Sequence, residues 1–123
     1  MVDEEHLLHR QVHPSWIQNG QFSSQTFRPT PKDAGKSSVY DGKQISAVES
    51  FVHWTLELNL KSDGVVSVST GEVEALALAW AIDGTPFPAH GYIDFTGLTK
   101  GQVERSATLL KARALARGWS HQP

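Results

Sequence analysis

Ser38-Val39-Tyr40-Asp41-Gly42-Lys43-Gln44-Ile45-Ser46-Ala47-Val48-Glu49, residues 38–49, holds a strand, a turn and a helix start in direct succession. Ser38-Val39-Tyr40 reads as a short strand, and Asp41-Gly42 as the turn that stops it. Ser46-Ala47-Val48-Glu49 has the capping-box form: a hydroxyl accepts from an orphan amide and a Glu three residues on reaches back. Val48, Phe51, Val52, Thr55 and Leu56 then fall on one side of a 3.6-residue helix over about 46–59. That phase makes Val52 a core residue, so an aspartate there is expected to unfold the domain. Glu49, His53 and Glu57 form a line along a flank of the same helix.

Upstream, the chain is rich in strand signals. Residues 7–12 suit a first strand, stopped by Pro14. Asn19-Gly20 is a turn dipeptide after Trp16 and Ile17, and 22–27 has the spaced apolar residues of a further strand. Residues 28–36, with two prolines, read as a loop. Downstream, Val65-Val66-Ser67-Val68-Ser69 has the β-branched content of a strand. Thr70 to Glu74 opens a short helix near 71–78, the Ala/Leu/Trp run after it suits helix or buried strand, and 91–95 alternates as a strand does. Thr99-Lys100-Gly101-Gln102 is a second capping box. Val103, Ala107, Leu110 and Ala114 mark the buried stripe of a helix over about 100–117, with Gly118 at its C′ position.

These signals predict an α+β fold: one domain over 1–123, with a small, mainly antiparallel sheet packed by the helices at about 46–59 and 100–117. Residues 1–5 and 120–123 are expected to be loose, and Trp119 to be open to solvent. Leu, Ile, Val and Phe make up 30 of 123 residues, above the roughly 20 % below which chains stay disordered. The absence of cysteine excludes disulfides, thiolate metal sites and a Cys nucleophile. A net charge of −2 gives no general attraction to nucleic acid or to an anionic membrane. No apolar run is long enough to span a bilayer, and the acidic start, Met-Val-Asp-Glu-Glu, is unlike a signal peptide, so a cytoplasmic location is expected.

Polar residues crowd the first half. His9, Arg10, His13, Ser23, Ser24, Arg28, Ser38 and Tyr40 are the candidate ligand-binding residues, within a pocket and loop spanning 9–41. Arginine forks surrounded by hydroxyls suit a carboxylate or phosphate. The expected role is therefore that of a small binding or interaction protein, with a protein partner or a small anionic ligand and no cofactor. Solvated edge strands and a polar loop would have the same composition. His6, His9 and His13 have the i, i+3, i+7 spacing of a helical metal site, but Pro14 and the strand pattern separate them, and no metal is expected. His53 and His90 can approach this region only through the fold. No Gly-x-Ser-x-Gly elbow, Walker A or Gly-x-Gly-x-x-Gly occurs.

Arg10, Tyr40 and Glu49, in that order, give the alternative reading. The set resembles the Arg–Tyr–Glu pattern of ADP-ribosyltransferase-like folds, the small RES-type toxins among them. The resemblance covers about the first 50 residues. It implies an NAD-consuming or nucleotide-processing enzyme in which Arg10 and Tyr40 hold the dinucleotide and Glu49 acts near the ribose, with NAD as the cofactor. Glu49 also has a local explanation as the N3 partner of Ser46.

Overall fold

A computed structural model of the chain describes residues 5–29 and 34–123. Seven strands are present among them: β1 (Leu7–Gln11), β2 (Ile17–Gln18), β3 (Gln21–Phe22), β4 (Lys36–Asp41), β5 (Val65–Ser69), β6 (Ala79–Ala81) and β7 (His90–Asp94). β2 and β3 form a hairpin closed by Asn19 and Gly20, both at positive φ, as the Asn-Gly dipeptide demands. The other five make one antiparallel sheet in the order β5-β1-β4-β7-β6. The helices are α1 (Ala47–Val52), α2 (Thr70–Ala75) and α3 (Lys100–Arg117). The fold is α+β, as the sequence predicts, and no described helix is long and apolar enough to cross a membrane.

Side-chain alternation gives the sheet two different faces. Leu8, Val39, Val66, Val68 and Ile93 lie on one face and share a buried core with Phe22, Phe27, Phe95 and the α3 residues Ala107, Leu110 and Ala114. On the other face stand His9 and Gln11 of β1, Ser38 and Tyr40 of β4, Ser67 of β5 and His90 of β7. Their registers pair His9 with Tyr40 and with Ser67, and Tyr40 with His90. α1 covers this polar face. Gln11 Nε2 donates to Ser50 Oγ at 3.0 Å, and Tyr40 Oη lies 2.7 Å from His53 Nδ1.

That polarity overturns the expected phase of α1. Ser50 is its buried residue, while Val48, Val52 and Leu56 are 50, 42 and 76 % exposed. A helix resting on a polar face is oriented by hydrogen bonds, so its apolar side chains do not mark the buried side. The helix continues as one wider turn over His53–Glu57, where Leu58 N–H donates to the His53 carbonyl. Both expected capping boxes are formed, with reciprocal bonds between Ser46 and Glu49 and between Thr99 and Gln102; α2 is capped one residue before the expected Thr70, by Ser69 bonding reciprocally with Glu72.

Other departures have local causes. Residues 22–27 do not form one strand: β3 ends at Phe22, and Ser24–Phe27 is a 3₁₀ turn. Phe22 and Phe27 are both fully buried, and residues an odd number apart in a strand would point to opposite faces. α2 stops at Ala75, and the ambiguous run becomes β6 at the sheet edge. Trp119 is part-buried, edge-on to Phe22 at 5.2 Å. Ser120 and His121, in the stretch expected to be loose, bond to Val65 of β5. Of the termini and loop, residues 1–4 and 30–33 lie outside the described residues.

Leu110→Ala should cost about 2–5 kcal/mol, because it opens a cavity against β-strand side chains. Val52→Asp should stay within about 0.5 kcal/mol, being a change on the solvent face. Chemical denaturation of both variants checks the pair, and equal costs would mean that α1 buries its valine face.

Candidate functional site

β1 and β4 pair only at Leu8↔Asp41 and His9↔Tyr40. Beyond that point they part, and a notch opens, lined by Arg10 and Gln11 of β1, Ser38, Val39 and Tyr40 of β4, and Trp54, Phe87 and His90. Its open space is about 10 Å³, room for about one water. A whole nucleotide does not fit that volume; one functional group does.

Three aromatic rings wall the notch. Phe87 stacks on Tyr40 at 5.1 Å and stands 4.4 Å from the His53 ring and 5.3 Å from that of His90. Trp54 meets Tyr40 edge-on at 6.4 Å. Burial raises the Tyr40 phenol far above its ordinary range, and the Glu57 charge adds to this, so it remains a neutral hydrogen-bonding group.

The polar members are linked in series. Asp83 Oδ1 lies 2.6 Å from His90 Nδ1, and His90 Nε2 lies 3.3 Å from Ser38 Oγ. Desolvation raises the Asp83 carboxyl, but the His90 hydrogen bond and charge, with the Thr85 and Asp83 amides, outweigh it and hold the carboxyl below its usual value. An ionised Asp83 can only accept, so His90 carries hydrogen on Nδ1. In the neutral ring Nε2 then accepts from the Ser38 hydroxyl.

The predicted site residues divide among several places. Ser38 and Tyr40 stand at the notch with Arg10. Arg10 is a structural cation: Nε donates to the Thr26 carbonyl at 2.7 Å, Nη1 to the Ser38 carbonyl at 2.6 Å, and the guanidinium lies 5.2 Å from the Trp16 ring centre. His9 is buried and bonded, with Nδ1 2.7 Å from Ser67 Oγ, which is itself 2.6 Å from Ser120 Oγ. His13 caps the turn at Pro14–Trp16 by accepting from the Ser15 amide at 3.0 Å. Ser24 and Arg28 bond each other at 3.0 Å, and Ser23 Oγ is buried with no partner. These last three border the 3₁₀ turn, on the side of the molecule built around the apolar core. Glu49 is exposed and accepts from the Ser46 amide at 3.0 Å, outside the notch lining. Of Arg10, Tyr40 and Glu49, the notch therefore gathers the first two.

Asp83, His90, His53, Phe87 and Trp54 complete the site and were not among the predicted residues. They lie outside 9–41, on the helix after β4, on β7 and in the segment before it, so no local spacing connects them to Ser38. For His90 the strand register does: Tyr40 opposite His90 puts the imidazole diagonally across from Ser38. Among the described residues no cluster of three or more His, Cys, Asp or Glu is arranged to hold a metal ion. Compared with protein-family models, curated proteins and solved structures, the chain finds no match in any of the three.

Arg10→Ala should lower stability by about 3 kcal/mol or more, since two charge-assisted bonds to backbone carbonyls are lost in a buried setting. Urea denaturation checks it, and a loss below about 0.5 kcal/mol would make Arg10 a solvated residue. His9 gives a pH test. Burial pushes its imidazole below 6.5, against the Ile45 carbonyl and the Asp41 charge that pull it up. The unfolded chain thus takes up the proton first, and stability should fall as pH drops below about 6.5, by at most about 1.4 kcal/mol per unit. His9→Gln should flatten that slope in the same range.

Proposed function

We propose that the protein is a small-molecule binding protein that takes an acyl or carboxylate group into the notch between β1 and β4. The observation that carries this reading is the convergence of Ser38, Tyr40 and His90 on a water-sized space walled by Phe87 and Trp54. Hydroxyl and imidazole groups match a carbonyl or carboxylate oxygen, and the flanking rings match an apolar or aromatic body attached to it. A ligand with one small polar head and a flat body satisfies both. The anion-binding role expected of Arg10 and Arg28 has no support, because Arg10 serves backbone carbonyls and Arg28 lies at the other turn.

A second reading, the NAD-consuming enzyme, draws support from Arg10 and Tyr40 bordering the same notch. Its weakness is the position of Glu49, whose carboxylate completes the helix cap.

Titration with benzoate, acetate, inorganic phosphate and NAD, followed by the ring signals of His53 and His90 in NMR, separates the readings. Benzoate should move both sets of signals, and Phe87→Ala should weaken that binding by about 2- to 12-fold, the range of one aromatic contact. Unmoved histidine signals would overturn the reading. Cleavage of NAD that disappears in Glu49→Gln would establish the second one instead.

A further inference from the structure

Asp83, His90 and Ser38 have the connectivity of an acyl-transfer relay. A carboxylate orients an imidazole through Nδ1, and the free Nε2 faces a hydroxyl. The 3.3 Å between Nε2 and Oγ is longer than a tight hydrogen bond, as is common before substrate binds. Ser38 is part-exposed rather than sealed in the core, and it stands at the notch, so a carbonyl carbon can reach its Oγ. The serine lies on a sheet strand rather than at a strand-to-helix elbow, which is why no linear motif accompanies it.

We propose that Ser38 is a nucleophile that cleaves small esters, with His90 as its general base and Asp83 as the residue positioning His90. This deepens the binding reading above and rests on the same notch. The Ser38 Oγ–carbonyl bond forms as His90 Nε2 takes the hydroxyl proton. The carbonyl–alkoxy bond then breaks, and the departing alcohol leaves with that proton. Water, activated by the same Nε2, attacks the acyl-serine ester, releases the acid and restores the Ser38 hydroxyl.

A fluorophosphonate probe tests the nucleophile directly, because it forms a stable Oγ–phosphorus bond as fluoride leaves. Mass spectrometry of the full chain after treatment should find one adduct, on Ser38. Ser38→Ala should abolish it, and His90→Gln should slow it by about 10²–10⁴-fold while the protein stays folded by circular dichroism. With p-nitrophenyl acetate, Asp83→Asn should lower kcat with KM unchanged, a split that simple loosening of the loop would not produce. No adduct, an adduct on another residue, or labelling equally fast in His90→Gln would each overturn the relay. If benzoate still moves the His90 signals in that event, the notch binds without catalysing; if it does not, the binding reading falls as well.

Discussion

Where β1 leaves β4 after the His9–Tyr40 pair, the backbone carbonyl of Ser38 loses a strand partner, and the guanidinium of Arg10 takes its place. The same side chain holds the Thr26 carbonyl of the 3₁₀ turn, so one cation ties the central strand, its diverging neighbour and the turn that carries Phe27. A buried cation is costly unless its donors are met by well-placed acceptors. Here two of those acceptors are main-chain oxygens fixed by the fold itself. The split between β1 and β4 is thus a maintained opening, and the notch exists because of it.

Around that opening the sheet divides its labour by face. α3 with Phe22, Phe27 and Phe95 seals one side with apolar contacts and gives the domain its stability. The opposite side carries serines, histidines and a tyrosine in register, under a helix held there by Gln11–Ser50 and Tyr40–His53 bonds. A polar layer of this kind contributes less by burial than an apolar one and requires every buried group to find a partner. What it provides is a set of oriented donors and acceptors against a rigid sheet, the arrangement from which sites are made.

Much of this was legible in the sequence where local rules act. The capping boxes at Ser46 and Thr99, the Asn-Gly hairpin, β5 and α3 follow from side chains bonding to nearby backbone or from a clear apolar stripe. α1 was legible as a helix but not in its orientation: Val48, Val52 and Leu56 looked like a buried face and are exposed. Periodicity assumes that the partner surface is apolar, and this one is not. The site was legible only in part for the same reason of range. Ser38 and Tyr40 lie on a predicted strand, whereas His90 joins them through a sheet register that no short stretch encodes, and Asp83 follows from the loop before it through its bond to His90. Arg10 was singled out for its charge, yet nothing in its neighbours in sequence signals that the Thr26 and Ser38 carbonyls would claim it.

The return of residues 120 and 121 to β5 bears on how the sheet avoids its own kind. A five-stranded antiparallel sheet has two free borders, each a row of unpaired amides and carbonyls able to recruit a strand from another molecule. At the β5 border the Val65 amide donates to the His121 carbonyl, and the Val65 carbonyl accepts from Ser120 and His121. At the other border, β6 spans only Ala79–Ala81, too short a template for extended pairing. One border is met at Val65 by the chain's own return and the other is cut short. The sheet is thus left with little free border from which to grow into a polymer.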